Sequence, residues 1–452
     1  MSSPLAHGSV KACPERFAFT SAYDLLRTWL PSGIALMVSS LPVSVLGGLK
    51  GVGSDMWHER TRKVLALVLT IALAASMLGL AGCATEDEEP GDTGEVTATE
   101  TVKIGVHTSL TGGLADYGFA AAEALKIAAA DFSGFEVDGV TYEIELVIRD
   151  DKGEPAEAPI VAQQLVDEGV VAVIGTLTSG AANAALPIYQ GAGIPMISGS
   201  ATAPDLTEQG YENFFRTCLR DDLQGAAIGE WALELESEKI VVMDDRGDYA
   251  VALGNEVQQT IEAGGAEVLR QEGQEGDVDF SAQVSNIMAF DPGVVVFTGY
   301  HREAGLLFKQ LREAGSEAQF MGGDGIKSNE IAEGAGGAAN VEGTLCTFGG
   351  FAQEGMPGYA DFAAAFQEAT GVEAGPYSEN NYDALGAVVE AITTSGSFDG
   401  ADIISALHEI QYAGVQGTLT FDENGDVSVP GGGGTELIPR FEFMDGTWEL
   451  VD

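Results

Sequence analysis

The sequence predicts an α/β fold of two lobes, each built on a parallel sheet with helices on both faces. From about residue 101 to the end, β-branched apolar runs alternate with helical segments. Several of these runs are apolar at every position, which is typical of strands that are covered on both sides. About 350 residues of this pattern exceed one doubly wound sheet, so we expect two lobes.

The elements can be assigned in chain order from their periodicity. The predicted elements are a strand at 102–106, a helix at 117–132, a strand at 142–148, a helix at 155–167, and strands at 170–174, 239–243 and 293–297. Pro155 fits the first turn of its helix, because an N–H group there has no partner within the helix. Each strand after the first is preceded by a helical segment, which predicts parallel neighbours.

The N-terminal region has the pattern of an export signal. Arg60, Arg62 and Lys63 precede an apolar run at 64–81, which leads into the tetrapeptide LAGC ending at Cys83. Since the run could also just span a bilayer, an uncleaved membrane helix is the alternative. The tetrapeptide resembles the bacterial lipobox, in which the cysteine is acylated, and this favours an extracytoplasmic protein anchored by lipid on Cys83.

The segments on either side of this signal are assigned by composition. Residues 1–55 would be an upstream extension without an assigned function, and 56–82 would be the lipoprotein signal peptide. Residues 83–100 are acidic, contain Pro and Gly, and lack apolar periodicity, so we expect a solvated tether.

Composition excludes several classes of function. The chain has 452 residues and a formal net charge of −48, which disfavours binding to nucleic acid or to an anionic membrane. Its 4 Cys form no CxxC pair and its 5 His are scattered, so we expect no metal site. The excess of acids could form a solvated surface suited to a high-salt environment, or it could attract cations for binding. The acids are spread along the chain rather than clustered, which favours the solvated surface.

Hydroxyl groups follow two strands that we expect to be neighbours. Thr178 and Ser179 come after the strand at 170–174, and Ser200 and Thr202 come after the apolar segment at 194–197. Hydroxyls beside a helix N-terminus can bind a small anion such as a carboxylate. The alternative is that Thr178 or Ser179 only caps the helix. With two such loops, an anion site and simple capping both stay open at this point.

Other motifs with a known chemistry fit poorly. Gly175 and Gly180 have the spacing of a phosphate loop, but Ala181 stands where lysine is needed. Residues 422–426 have the oxygen spacing of a calcium loop, but Val427 stands where glycine is required, so we expect a hairpin turn. No GxGxxG follows the first strand and no Ser/His/Asp set is recognisable, so we expect neither an enzyme nor a cofactor.

The order of segments resembles the leucine/isoleucine/valine-binding family of periplasmic-type receptors for ABC transporters. The matching segments are TSLTG at 108–112 with YG at 117–118, IG at 174–175 with Ser179, SATAP at 200–204, FRT at 215–217, DY at 248–249, GYH at 299–301, QFMG at 319–322, and FD at 421–422 with NGD at 424–426. Their collinearity from about residue 101 to the end carries the resemblance.

The resemblance implies two lobes joined by three crossover strands, with an amino acid enclosed between them. It places lobe 1 at 101–220 plus 347–418, and lobe 2 at 221–346 plus 419–452. In the matching positions, Ser179, Ser200 and Thr202 would hold the ligand carboxylate, and Asp324 would hold its ammonium. The aromatic pocket residues would be Tyr117, Tyr249, Tyr300 and Tyr377, whereas His301 would contact water rather than ligand.

The sequence departs from the family pattern in two places. The acid of the second lobe is often Glu, and Asp324 is one methylene shorter, so the ligand could sit differently or differ in kind. Cys218 and Cys346 lie in two presumed crossover strands, where they would be either a disulfide or two buried free thiols.

The leading hypothesis is a monomeric, lipid-anchored receptor that captures a small, branched-chain or other aliphatic amino acid and presents it to the permease of an ABC importer. One alternative within the fold is a receptor for urea, short amides or another small carboxylate. A second alternative is a soluble ligand-sensing signalling module.

Overall fold

The computed structural model describes residues 99–428 and 433–451. The upstream extension, the signal segment, Cys83 and nearly all of the acidic tether lie outside the described residues, so the lipid anchor stays a prediction. In the part of the chain that is described, no helix is both long and apolar enough to cross a bilayer.

Two large sheets and one short hairpin form the framework of the described residues. The strands are β1 (Thr99–Thr108), β2 (Phe135–Val137), β3 (Val140–Asp150), β4 (Ala172–Gly175), β5 (Met196–Ser198), β6 (Phe214–Arg216), β7 (Lys239–Asp244), β8 (Glu267–Glu272), β9 (Val294–Phe297), β10 (Gln319–Gly322), β11 (Leu345–Thr347), β12 (Tyr412–Gly414), β13 (Gly417–Leu419), β14 (Arg440–Met444) and β15 (Thr447–Leu450). The first sheet has the order β2-β3-β1-β4-β5-β6, and the second has the order β15-β14-β11-β10-β9-β7-β8.

Helices cover both sheets. They are α1 (Ala115–Phe132), α2 (Ala158–Asp167), α3 (Ser179–Ala192), α4 (Asp205–Glu208), α5 (Asp221–Glu234), α6 (Asp248–Ala263), α7 (Ser281–Phe290), α8 (His301–Glu313), α9 (Ile331–Gly334), α10 (Tyr359–Thr370), α11 (Ser378–Ser395) and α12 (Gly400–Leu407). We call β1–β6 with α1–α4 and α10–α12 the first lobe, and β7–β11, β14 and β15 with α5–α9 the second lobe.

The first lobe buries apolar side chains on both faces of its sheet. Ile104 and Val106 of β1 point to one face and pack against α11, where Leu385 is fully buried. Val173 of β4 points to the other face and packs with α2 and α3, for example against Leu186. This two-sided burial is why β4 is apolar throughout, as the sequence predicted.

The second lobe repeats this arrangement. Val241 and Phe297 lie on one face of the sheet with Phe308 of α8, whereas Val242 lies on the other face with Leu253 of α6. Strands β7–β11 pair in parallel, and β14 and β15 add an antiparallel edge beside β11. The doubly wound architecture therefore holds for both lobes.

The chain passes between the lobes three times: after β6, after β11 and after β13. Two backbone hydrogen bonds join these crossovers: Leu219 N donates to Gly349 O at 2.8 Å, and Arg216 N donates to Gly425 O at 3.0 Å. The proposed lobe boundaries stay a prediction, and the membership of the strands in the two sheets supports it.

Among the predicted helices, the start of α2 differs most from the prediction. The helix expected from Pro155 begins at Ala158, because Lys152 and Gly153 have positive φ angles and turn the chain before it. The predicted hairpin turn at 422–426 is confirmed, since Asp422 Oδ1 accepts hydrogen bonds from Asn424 N and Asp426 N.

Candidate functional site

Two adjacent loops of the first lobe bring hydroxyl groups to one edge of its sheet. β4 and β5 are parallel neighbours, so the loops that follow them lie side by side. Thr178 Oγ1 accepts a hydrogen bond of 3.2 Å from Ala181 N and caps α3, of which Ser179 is the first residue. The first N–H groups of a helix have no partner within it and favour negative charge. The start of α3 therefore suits a small carboxylate, and capping by Thr178 coexists with this role.

The two loops are fixed to each other by hydrogen bonds. Ser200 Oγ donates to Leu177 O at 2.8 Å, and Ala203 N donates to Ser179 Oγ at 3.2 Å. Ser198 Oγ donates to Thr176 O at 2.8 Å, a contact that the sequence analysis did not single out. These bonds hold the hydroxyls in place before any ligand arrives, which lowers the ordering cost of binding.

Asp324 lies across the cleft in a 3₁₀ turn, Asp324–Ile326, that follows β10. Tyr249 Oη donates to Asp324 Oδ1 at 3.0 Å and accepts a hydrogen bond from Gly325 N at 3.1 Å. Tyr117 Oη, from the first lobe, donates to the Asp324 carbonyl oxygen at 2.8 Å. The carboxylate of Asp324 is thus held by Tyr249 of the second lobe, and its backbone carbonyl is held by Tyr117 of the first.

Burial raises the pKa of the Asp324 carboxyl above its ordinary value. The hydrogen bond from Tyr249, together with the nearby polar groups of Tyr377 and Gln224, lowers the pKa and offsets part of this rise. The charged form of Asp324 therefore gains from a cationic partner in the cleft.

Aromatic rings form the remaining walls. Tyr249 and Tyr300 are stacked with ring centroids 5.3 Å apart, and Tyr377 packs on Phe348 at 4.5 Å. Tyr377 takes a left-handed backbone conformation (φ 62°) at the start of α11, which is uncommon for a residue with a side chain.

One cavity joins these groups. It encloses about 310 Å³ of space between the atoms, including part of its opening to solvent. The lining residues are Leu114, Tyr117, Leu177, Thr178, Ser179, Ser200, Tyr249, Tyr300, Asp324, Gly325 and Tyr377. All the sequence-predicted ligand residues except Thr202 line this cavity. Leu114 and Leu177 were missed, because isolated leucines in loops carry no distinctive signal.

Thr202 lies behind the cavity wall beside a second buried carboxylate. The Thr202 carbonyl oxygen accepts a hydrogen bond of 3.0 Å from Asp221 N. Asp221 is fully buried, and desolvation and the nearby charge of Asp324 raise its pKa well above the ordinary value. Within the described residues, Thr202 Oγ1 and both carboxylate oxygens of Asp221 have no hydrogen bond of ordinary geometry. Sequence reasoning missed Asp221, since an acid in the first turn of a helix is ordinary.

The lobes meet at the mouth of the cleft. Ser328 Oγ of the second lobe donates to Asp116 Oδ2 of the first at 2.6 Å, and Asn183 Nδ2 of the first donates to Asp248 Oδ2 of the second at 2.7 Å. His301, which we expected to contact water, is only 1% exposed, because its ring stacks on Tyr117 with centroids 5.7 Å apart. The structure therefore represents a closed cleft.

The disulfide alternative for Cys218 and Cys346 is wrong for this structure, in which both are buried free thiols. Cys346 packs in the core of the second lobe, whereas Cys218 packs against Phe348 and Tyr377 and its Sγ lies 3.6 Å from Ala201 O. Burial raises the pKa of both thiols, so both are protonated at neutral pH.

Comparison with known proteins agrees with this geometry. A family profile described as periplasmic binding protein matches residues 101–429. A Leu/Ile/Val-binding protein homolog of Brucella suis is 36% identical over 334 residues, which are 73% of this chain and 88% of that protein. A leucine-, isoleucine-, valine-, threonine- and alanine-binding protein of Pseudomonas aeruginosa is 35% identical over 339 residues, with the same coverage of the two chains.

The chain belongs to the periplasmic binding protein family.

Solved structures of periplasmic binding proteins share its fold. A leucine-binding protein from Thermotoga maritima has a TM-score of 0.71 and 31% identity, covering 78% of this chain and 98% of that one. A branched-chain amino acid transporter substrate-binding protein from Streptococcus pneumoniae, in complex with isoleucine, has a TM-score of 0.68 and 28% identity, covering 78% and 99%.

Three expectations from the sequence are thereby confirmed for this periplasmic binding protein. It has the type I fold of that family, it resembles the leucine/isoleucine/valine-binding proteins, and it is a binding protein rather than an enzyme. Membership of the family implies a location outside the cytoplasm.

Proposed function

We propose that this periplasmic binding protein captures a branched-chain or other small aliphatic amino acid between its lobes and delivers it to the permease of an ABC importer. The observation that carries the proposal is that one cavity contains hydroxyls from the first lobe and a buried carboxylate from the second. The names of the relatives, which bind leucine, isoleucine and valine, point to the same ligand class.

The carboxylate of the ligand would bind at the start of α3. Ser179 and Ser200 line the cavity there, beside the first N–H groups of the helix. Ser179 Oγ accepts from Ala203 N and keeps its own proton for the ligand, whereas the Ser200 proton, donated to Leu177 O in this structure, would have to turn towards it. A hydrogen bond to a charged group contributes roughly 1.5–3 kcal/mol, so a few such bonds fix one end of the ligand. Thr202 does not line the cavity, and it would contribute indirectly by supporting the loop that holds Ser200 at the cavity wall.

The ammonium of the ligand would pair with Asp324. The cavity lining within the described residues contains no Lys or Arg, so the cavity itself offers this carboxylate no cation. Asp221 lies close to Asp324, and desolvation together with the charge of Asp324 raises its pKa, which favours its neutral form. A buried charge without a partner costs several kcal/mol, and an ammonium placed here removes much of that cost.

The side chain of the ligand would meet an apolar wall. Leu114, Leu177 and Tyr117 form one buried cluster, and Tyr300 packs against it from the second lobe. This wall favours an aliphatic side chain, since it offers surface to bury rather than partners for a charge.

The charge at Asp324 separates the proposal from its alternative. Urea and short amides carry no positive charge, and another small carboxylate would bring a second negative charge towards Asp324. The carboxylate of a zwitterion would bind at the start of α3 and its ammonium would pair with Asp324, so we favour an α-amino acid over these ligands.

Delivery would take place at the outer face of the membrane. The lipobox-like sequence at Cys83 would anchor the protein by lipid, and residues 83–100 would allow the two lobes to reach the permease. We propose that the protein works as a monomer, because closure around a ligand needs only its own two lobes.

Titration calorimetry with a panel of amino acids, urea and acetamide tests the proposal. We expect leucine, isoleucine or valine to bind, and Asp324→Asn to weaken that binding by about 100-fold or more, as expected for breaking a buried ion pair. Asp361→Asn, which removes an exposed acid at the start of α10, is the matched control and should leave affinity unchanged. Binding of amides but of no amino acid would overturn the assignment.

A further inference from the structure

Three side chains with metal-ligating atoms meet at the rim of the cleft, outside the cavity described above. His301 Nε2 lies 4.0 Å from Asp116 Oδ1 and 3.9 Å from Glu330 Oε2. One ligand atom from each of Asp116, His301 and Glu330 lies within 4.8 Å of the other two. Neither distance from His301 is a hydrogen bond, and each becomes an ion pair only when His301 is protonated.

The histidine is buried and aimed at the two acids. His301 is 1% exposed, and Tyr117 stacks on one face of its ring. Its Nε2 is the ring nitrogen that faces Asp116 and Glu330, at 4.0 and 3.9 Å. The ring is therefore held so that its metal-ligating nitrogen points between the two carboxylates.

The aspartate is oriented in the same direction. Asp116 Oδ2 accepts the hydrogen bond from Ser328, which leaves Oδ1 facing His301. Asp116 Oδ1 is buried and has no hydrogen bond within the described part of the chain. Ser328 thus fixes the rotamer of Asp116, as outer partners of metal ligands commonly do.

We infer that Asp116, His301 and Glu330 form a binding site for a divalent transition-metal ion, with Zn²⁺ as the ion of matching chemistry. Nitrogen and oxygen ligands bind Zn²⁺ at about 2.0–2.2 Å, which places them about 3.4 Å apart in a tetrahedral site. The observed separations of 3.9 and 4.0 Å need small movements only. The Glu330 side chain is 57% exposed and has room for these movements. Water would supply the fourth ligand.

Solvent reaches this site from two sides. His301 and Glu330 line a surface depression together with Gly112 and Glu333, and Asp116 and Glu330 line a larger groove next to it. An ion can therefore enter while the cleft stays closed around its amino acid.

The ligands come from both lobes, and this couples the metal to closure. Asp116 belongs to α1 of the first lobe, whereas His301 and Glu330 belong to the second. The complete set exists only in the closed form, so Zn²⁺ and the amino acid should each raise the affinity of the other by the same factor. This coupling depends on the proposed amino-acid binding, but the metal site itself does not.

Calorimetric titration of the full-length chain with ZnCl₂, with and without saturating leucine, tests the inference. We expect one specific Zn²⁺ per chain, bound about tenfold more tightly when leucine is present, within the usual range of such couplings. His301→Gln and Glu330→Gln should each weaken it by tenfold or more, in line with the loss of one ligand. Glu333→Gln removes an equal charge from the same depression and should leave it unchanged.

The outcomes separate the metal site from the proposed function. If Glu330→Gln and His301→Gln bind Zn²⁺ as tightly as Glu333→Gln, the acidic surface alone is responsible and the inference is overturned. If leucine binds but no specific Zn²⁺ is found, the metal site is wrong and the receptor function stands. If Zn²⁺ titrates specifically but no amino acid binds, the metal site stands and the proposed function fails.

Discussion

At the scale of single residues, the site is defined by two buried carboxylates near one another. Asp324 is 5% exposed and Asp221 is fully buried, and desolvation raises the pKa of both. The charge of Asp324 raises the pKa of Asp221 further. Negative charge in a dry site is unfavourable without a ligand and favourable with an ammonium. The same residues therefore destabilise the free protein and stabilise the complex.

The raised pKa of Asp221 predicts a pH dependence of stability. A carboxyl whose pKa is higher in the folded than in the unfolded state stabilises the fold at low pH relative to high pH, so its contribution is lost as pH rises from about 4 through the folded pKa. The substitution Asp221→Asn removes the titrating carboxyl group and therefore removes this loss of stability at high pH. In the ligand-free protein we expect the variant to melt at least about 2 °C above the wild type at pH 8 and equally at pH 3.5.

Thermal unfolding followed by circular dichroism at the two pH values measures this difference. Asp222→Asn, at the neighbouring position in the same helical turn, is the control and should show no pH-dependent gain, because Asp222 is only partly buried and hydrogen-bonds to Arg220. An Asp221→Asn variant less stable than the wild type at pH 8 would contradict the prediction.

At the scale of elements, a buried ion-pair network holds the first and third crossovers together. The Arg216 side chain is fully buried, and its Nε donates to Asp426 Oδ1 at 2.6 Å. Its Nη1 donates to the carbonyl oxygens of Ala201 and Ala203, on either side of Thr202. The crossover therefore supports the loop that presents Ser200 to the cavity.

Asp426→Asn is expected to lower the free energy of unfolding by about 3–5 kcal/mol, because it leaves the charge of Arg216 buried without a full partner. Urea denaturation measures the loss, and Glu423→Gln, an exposed change in the same turn, is the control. A loss below about 1 kcal/mol would show that Arg216 finds enough compensation in its carbonyl partners.

Element types could be predicted from the sequence, because periodicity reports burial directly. The apolar runs at 170–174, 239–243 and 293–297 became buried strands for that reason. The start of α2 could not be predicted, since positive φ angles at Lys152 and Gly153 depend on the path of the chain. Asp324 and Ser179 could be assigned to the site because the sequence resembles that of the family. The environments of Asp221 and His301 could not be predicted, because they arise only when the folded chain buries these side chains.

At the scale of the whole molecule, contacts between the lobes fix a closed cleft. Tyr117, Asp116 and Asn183 of the first lobe all hydrogen-bond to residues of the second. Without a ligand, the buried charge of Asp324 opposes this closure. We therefore expect the free protein to open by bending at the crossovers.

Small-angle X-ray scattering should show this change as a smaller radius of gyration with saturating leucine than without it. The reason is that only the closed form lets both lobes touch the ligand. Urea at the same concentration, which offers no ammonium to Asp324, is the control and should keep the open dimensions. Equal dimensions of the wild type in both conditions would contradict hinge closure.

The net charge of −48 predicts that salt stabilises the protein. Between 0.1 M and 1 M KCl the screening length falls from about 10 Å to about 3 Å, which weakens repulsion among the acids. We expect the melting temperature to rise by several degrees over this range at pH 7. Near pH 4, close to the sequence pI of 4.1, the same salt should have little effect, and an equal response at both pH values would contradict the explanation.

The threefold passage of the chain between the lobes also has a consequence for biosynthesis. Ile104 and Val106 of β1 are covered by α11 and α12. The sheet that is synthesised first is therefore fully packed only when helices near the end of the described chain have been synthesised. Until then, that face of the sheet has apolar cover only from α1, through residues such as Leu125 and Ala128. The first lobe therefore completes its fold only after α11 and α12 have been made, which suits a protein located outside the cytoplasm.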